Sequence, residues 1–118
     1  MMFGSDKTTS QATAHRELTP VELKALQDRN AVVIIDVREP NEFAAEHIPG
    51  ALNRPLSSFD AAALVKPDDM VIVLQCAGGK RSGMALDKCR TAEAAVDSHL
   101  GGGLAAWKAA GLPTVRQG

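Results

Sequence analysis

The stretch Cys76-Ala77-Gly78-Gly79-Lys80-Arg81-Ser82 gathers a thiol, two glycines, two cations and a hydroxyl. Each of these favours a negative charge. The glycines free the backbone so that successive amides can converge on one point, and a helix opening there adds partial positive charge. A thiol placed at that point ionises more readily than a free cysteine, whose pKa is about 8.5, because the thiolate is the form being stabilised. The expectation is a reactive thiolate at Cys76, with Ala77, Gly78, Gly79, Lys80, Arg81 and Ser82 as the loop that meets an anionic substrate. The plainer alternative makes Cys76 a small apolar plug and the glycines a simple turn. Two cations in the same loop weigh against it.

Such a loop needs rigid elements on either side. Residues 31–35 and 71–74 are continuous, largely β-branched runs without polar alternation, the pattern of strands covered on both faces. The first ends at Asp36 and the second at Gln75-Cys76; a weaker run, 96–100, ends at Gly101-Gly102-Gly103. Three buried strands imply a parallel sheet. Helices are expected from Pro20 to about Gln27 behind a Thr19/Glu22 capping box, from Pro40 to about Ala45, over 58–64, over 82–93, and over 104–110 with Gly111 as left-handed terminator. Alternating strands and helices make an α/β domain: a small parallel sheet flanked by helices on both faces. In such sheets ligands bind beyond the carboxyl ends of strands, which is where Cys76 falls.

The chain's 118 residues, with 13 Lys plus Arg against 14 Asp plus Glu, suit one domain and leave no room for a second full-sized one. A net charge of -1 argues against nucleic acid or a polybasic membrane contact as partner. No run of 18 apolar residues spans a bilayer, and no signal-peptide pattern opens the sequence. Two cysteines make no disulfide scaffold and have no zinc-ligand spacing with His15, His47 or His99, so reduced thiols and a cytoplasmic location are expected. A mature form of an exported protein would carry the same residues. Residues 1–14 are polar and small and are read as a flexible leader or expression remnant, with the domain over 15–118.

With these residues in view, the chain resembles a single-domain rhodanese, the sulfurtransferase family. The Cys-x-x-Gly-x-Arg-Ser/Thr loop of rhodanese-like domains is matched by Cys76, Gly79, Arg81 and Ser82. Ile35 to Pro40, Glu42-Phe43 and His47 to Asn53 resemble the family's first signature, and Leu100 to Gly103 with Trp107, Gly111 and Pro113 its C-terminal one. The resemblance implies a double displacement: Cys76 takes the outer sulfur of thiosulfate or another sulfane donor as a persulfide, then passes it to cyanide or a thiol. It also implies that no metal or organic cofactor is needed and that Asp36 and Arg38 brace the site as supporting residues. Cysteine phosphatases place Arg six positions after Cys, where this chain has Ser82, so the loop resembles the sulfur-transferring members instead. Where many members leave the helix through Gly and an aromatic residue, this chain has Ala94-Ala95. A second reading keeps Cys76 but makes the domain a sulfur carrier or protein-binding module, exchanging sulfur with a protein persulfide donor or acceptor and turning over few small donors.

The remaining polar residues have plainer expectations. Cys89 shares an apolar helix face with Ala85 and Leu86 and is read as a buried structural thiol, with a resolving cysteine for Cys76 as the alternative. Glu39, Glu42 and Glu46 read as a solvated helix face, Arg54 as facing solvent, His47 as bonded locally, and Trp107 and Phe43 as core. A general base is not called for, since the attacking thiol would already be ionised.

Overall fold

The two β-branched runs form the middle of one parallel sheet. The computed structural model describes residues 16–117. In chain order these form β1 (Arg16–Leu18), α1 (Pro20–Asp28), β2 (Val32–Asp36), α2 (Pro40–Ala45), β3 (Leu52–Asn53), β4 (Val71–Gln75), α3 (Lys80–Thr91), β5 (Ser98–Leu100) and α4 (Gly103–Ala109). The expected leader at residues 1–14, and His15, lie outside the described residues. The strands pair in the order β1-β5-β4-β2-β3, and every pairing is parallel. The longest ladder joins β2 to β4 from Val32↔Val71 to Asp36↔Gln75.

The absence of alternation in these runs has the expected cause, because successive side chains enter different cores. Ile35, Ile72 and Leu74 pack with Ala85, Leu86 and Cys89 of α3, whereas Ile34 and Val73 pack with Leu23 of α1 and Leu104 and Trp107 of α4. Trp107 is fully buried and its Nε1 donates to the Pro113 carbonyl at 2.8 Å. At the start of α1 the capping box forms in both directions: Glu22 N donates to Thr19 Oγ1 at 3.1 Å and Thr19 N to Glu22 Oε1 at 2.8 Å.

Three expectations are corrected. The sheet is wider than three apolar runs suggest, because β1 and β3 are edge strands of three and two residues held by register with β5 and β2. So short an edge leaves no periodic signal. The helix expected over 58–64 is instead two single 3₁₀ turns, Leu56–Ser58 and Ala61–Ala63. Asp60 between them is extended and its carboxylate accepts from Ala62 N at 3.1 Å, so the chain restarts there. Finally, α3 begins at Lys80 rather than Ser82. Among the described residues no helix is long and apolar enough to cross a membrane.

Candidate active site

Gly79 decides how the thiol loop closes. At φ +105° it caps α3 in a left-handed conformation that disfavours any residue with a Cβ, and the turn aims its own amide back at Cys76. Gly79 N lies 3.0 Å from Cys76 Sγ, and the Ser82 hydroxyl lies 3.6 Å from the same sulfur. Cys76 is only 1% exposed. Burial pushes its thiol pKa up, but the Ser82 amide and hydroxyl and the amides of Gly79 and Gly78 outweigh that, leaving it below the ordinary value. The loop therefore favours a thiolate through main-chain dipoles.

The other end of the loop is tied down by α4. Leu104 N donates to the Cys76 carbonyl at 2.8 Å and Ala105 N to the Ala77 carbonyl at 3.1 Å. This approach works only because residue 103 is glycine. A Cβ there would lie 2.4 Å from the Cys76 carbonyl oxygen and 2.6 Å from the Ala77 carbonyl carbon, at a φ of +60°. Thus the glycine run after β5 and the thiol loop after β4 are parts of one site. Gln75, fully buried, donates its side-chain amide to the Cys76 carbonyl as well.

The cations lie differently from the loop's own sequence. Because α3 starts at Lys80, both cations occupy its first turn. Lys80 is exposed and forms no ion pair with another described residue. Arg81 turns to α2, donating from Nη1 to Glu42 Oε1 at 2.7 Å and from Nη2 to Glu42 Oε2 at 3.0 Å. This bidentate geometry is the strong form of a guanidinium–carboxylate contact. The Arg81 pair, helped by the Glu39 amide donating to Oε1 at 2.9 Å, holds the Glu42 carboxyl down at about 2. Glu42 is thus a correction: it is the partner of the loop arginine and no mere member of a solvated face. Glu46 accepts from Lys108 Nζ and Thr114 Oγ1, and Glu39 from Ser57 Oγ, so all three acids have partners.

Asp36 and Arg38 form no hydrogen bond with Cys76. Buried at the end of β2, they form a doubly bonded pair, Arg38 Nη2 to Asp36 Oδ2 at 2.8 Å and Arg38 Nε to both Asp36 oxygens at 3.1 Å. Arg38 Nη2 also donates to the Glu46 carbonyl at 2.5 Å, at the end of α2. That bond fixes the helix that carries Glu42, which in turn grips Arg81. His47 bonds through Nδ1 to the Phe43 carbonyl at 2.7 Å and stacks on the Phe43 ring, and Arg54 stays exposed. Cys89 is fully buried, and burial raises its thiol to about 11.

Sequence reasoning passed over His99, whose buried ring lies 2.7 Å from Ser82 Oγ through Nδ1. Its place one residue before the end of the run 96–100, next to the glycine run, was the available signal. Among the described residues no cluster of three or more His, Cys, Asp or Glu side chains is arranged to hold a metal.

The Rhodanese-like domain family matches residues 19–110. An uncharacterised protein of Synechocystis is 44% identical over 99 residues, covering 84% of this chain and 55% of that protein, so the chain spans about half the relative's length. A protein of Allochromatium vinosum named as a sulfurtransferase is 33% identical over 90 residues, covering 76% of this chain and 84% of the relative. Among solved structures, the rhodanese-like domain of the Anabaena Alr3790 protein superposes with a TM-score of 0.72 at 30% identity, covering 86% of this chain and 80% of that one. With a thiol loop closing the central strand and a family match over most of its length, this chain belongs to the rhodanese-like family, which includes sulfurtransferases.

Proposed function

We propose that the protein moves sulfane sulfur from thiosulfate or a persulfide donor to a thiol or cyanide through a persulfide on Cys76. The thiolate attacks the outer sulfur of the donor, the sulfur–sulfur bond to the sulfonate breaks, and sulfite leaves with the bonding pair. An acceptor nucleophile then takes the terminal sulfur and restores the Cys76 thiolate. Sulfur enters and leaves without net redox change in the protein. The observation that carries this reading is the Gly79 amide 3.0 Å from a buried Cys76 sulfur whose pKa lies below the ordinary value. Converging amides stabilise an anion at that point whether it is thiolate or persulfide. Supplied with thiosulfate and cyanide, the protein is expected to yield thiocyanate and to gain about 32 Da at Cys76, one added sulfur. Turnover that survives Cys76→Ser would falsify the mechanism.

One observation favours the second reading, a carrier loaded by a protein persulfide. Arg81 is engaged by Glu42, so an incoming dianion has to draw the guanidinium away before using its charge. A persulfide donor, with a smaller charge, depends less on that exchange. A protein that accepts sulfur from a persulfide yet ignores thiosulfate would have this character. Cytoplasmic residence goes with a free reactive thiol of this kind.

A further inference from the structure

Behind Cys76 runs a line of polar groups that the sulfur-transfer scheme above does not use. Ser82, fully buried on α3, has one hydroxyl proton and three acceptors competing for it. Cys76 Sγ lies 3.6 Å away, the Gly79 carbonyl 3.2 Å and His99 Nδ1 2.7 Å. His99 is buried on β5, and its other nitrogen, Nε2, lies 3.5 Å from Glu17 Oε2 of β1. The sheet makes this contact, since Glu17 and His99 are register partners. The Glu17 side chain is 68% exposed, so the line starts at the buried sulfur and ends in water.

We infer that His99 is a positioning residue that takes up the Cys76 proton through Ser82 and thereby turns the serine hydroxyl onto the thiolate. The inference rests on Cys76 being the nucleophile. In the step, the Cys76 S–H bond breaks and its proton joins Ser82 Oγ, while the proton already on Ser82 passes to His99 Nδ1. The products are a thiolate, an unchanged serine and an imidazolium facing the Glu17 carboxylate; protons and charge balance, and no other reactant is consumed. With Nδ1 protonated, His99 donates to Ser82 Oγ, and the serine proton is left for sulfur. With Nδ1 bare, the hydroxyl is drawn to the imidazole and the sulfur loses a donor. Along this line the ionisable groups include Cys76 beyond Ser82 on the α3 side and Glu17 on the β1 side. On the β4 side the register partner is the apolar Leu74, and Gly83 of α3 passes the ring, where a Cβ would lie 4.0 Å from Cε1.

Two coupled groups must shift each other's titration by the same amount, which gives a test that simple packing does not mimic. The pH dependence of Cys76 alkylation by iodoacetamide, in protein carrying Cys89→Ala, is compared between His99 and His99→Gln. The imidazole titration of His99, followed by NMR, is compared between Cys76 and Cys76→Ala. We expect the Cys76 midpoint to rise by about one unit in His99→Gln, a tenfold loss of thiolate below the midpoint. The His99 midpoint falls by an equal amount in Cys76→Ala. Ser82→Ala shrinks both shifts, and Glu17→Gln, an exposed and structurally mild change, lowers the His99 midpoint alone. Midpoints that stay within about 0.2 unit in folded His99→Gln and Cys76→Ala, or unequal shifts, overturn the relay. Should His99→Gln fail to fold, the Cys76→Ala and Glu17→Gln arms decide by themselves. Neither arm needs sulfur transfer, so loss of the relay is distinguishable from loss of the proposed activity, which thiocyanate production reads separately.

Discussion

The protein's two thiols share one apolar cluster, Cys76 in the loop before α3 and Cys89 within that helix, and their surroundings differ. Cys76 and Cys89 are both almost wholly buried and both belong to the cluster that holds Ile35, Leu74 and Leu86. At Cys89 burial alone acts, and it raises the thiol to about 11. Cys76 meets the amides at the start of α3 and a hydroxyl, and these overcome the same penalty. Burial by itself makes a cysteine inert. Burial against converging N–H groups favours the thiolate, because the dipoles are fixed in place and not screened by water.

The comparison breaks most easily on reactivity. At pH 7 iodoacetamide is expected to label Cys76 faster than Cys89 by on the order of a hundredfold, following their thiolate fractions. Equal labelling in the folded protein, read by peptide mass analysis, would remove the distinction. Next in size is Gly103→Ala, which touches neither thiol. Its Cβ strikes the Cys76 and Ala77 backbone at a left-handed φ, so a loss of about 2–4 kcal/mol is expected in urea unfolding, together with slower Cys76 labelling. Cys76 depends on backbone placement in a way that Cys89 does not.

A smaller effect concerns the loop cation. Glu42→Gln frees Arg81 for an incoming dianion, so KM for thiosulfate should fall several-fold, whereas Arg81→Ala should raise it. If both variants shift KM the same way, the pair is only a structural tie. The pair also has a pH signature. Glu42's folded pKa of about 2 lies below its unfolded value of about 4.3, so its stabilisation is present above that value and fades as pH falls towards 2. The stability difference between the wild type and Glu42→Gln should shrink over that window. Smallest is Cys89→Ala, expected to cost roughly 1 kcal/mol in thermal or urea unfolding and to leave Cys76 labelling unchanged. A change in Cys76 reactivity there would revive the resolving role.

Much of this was legible in the chain itself. The runs 31–35 and 71–74, the capping box at Thr19 and the left-handed Gly111 are local patterns, and local patterns need only near neighbours to be read. Cys76-x-x-Gly79 belongs with them, since the amide that meets sulfur lies three residues on. The two-residue edge strand at Leu52–Asn53 did not belong, having no partner until β2 stands beside it. Nor did the broken helix around Asp60.

What the sequence determined, then, was the thiol loop at Cys76 and the glycine turn that closes it, because both follow from residues adjacent in the chain. Only the tertiary structure decided where the charges go. Glu42 meets Arg81 across 39 positions and His99 meets Ser82 across 17, joined by packing of helices on a sheet. A carboxylate or an imidazole has no periodicity that announces its partner. Which one it finds is settled by the order β1-β5-β4-β2-β3, which sets Glu17 beside His99, and by the Asp36–Arg38 pair that anchors α2.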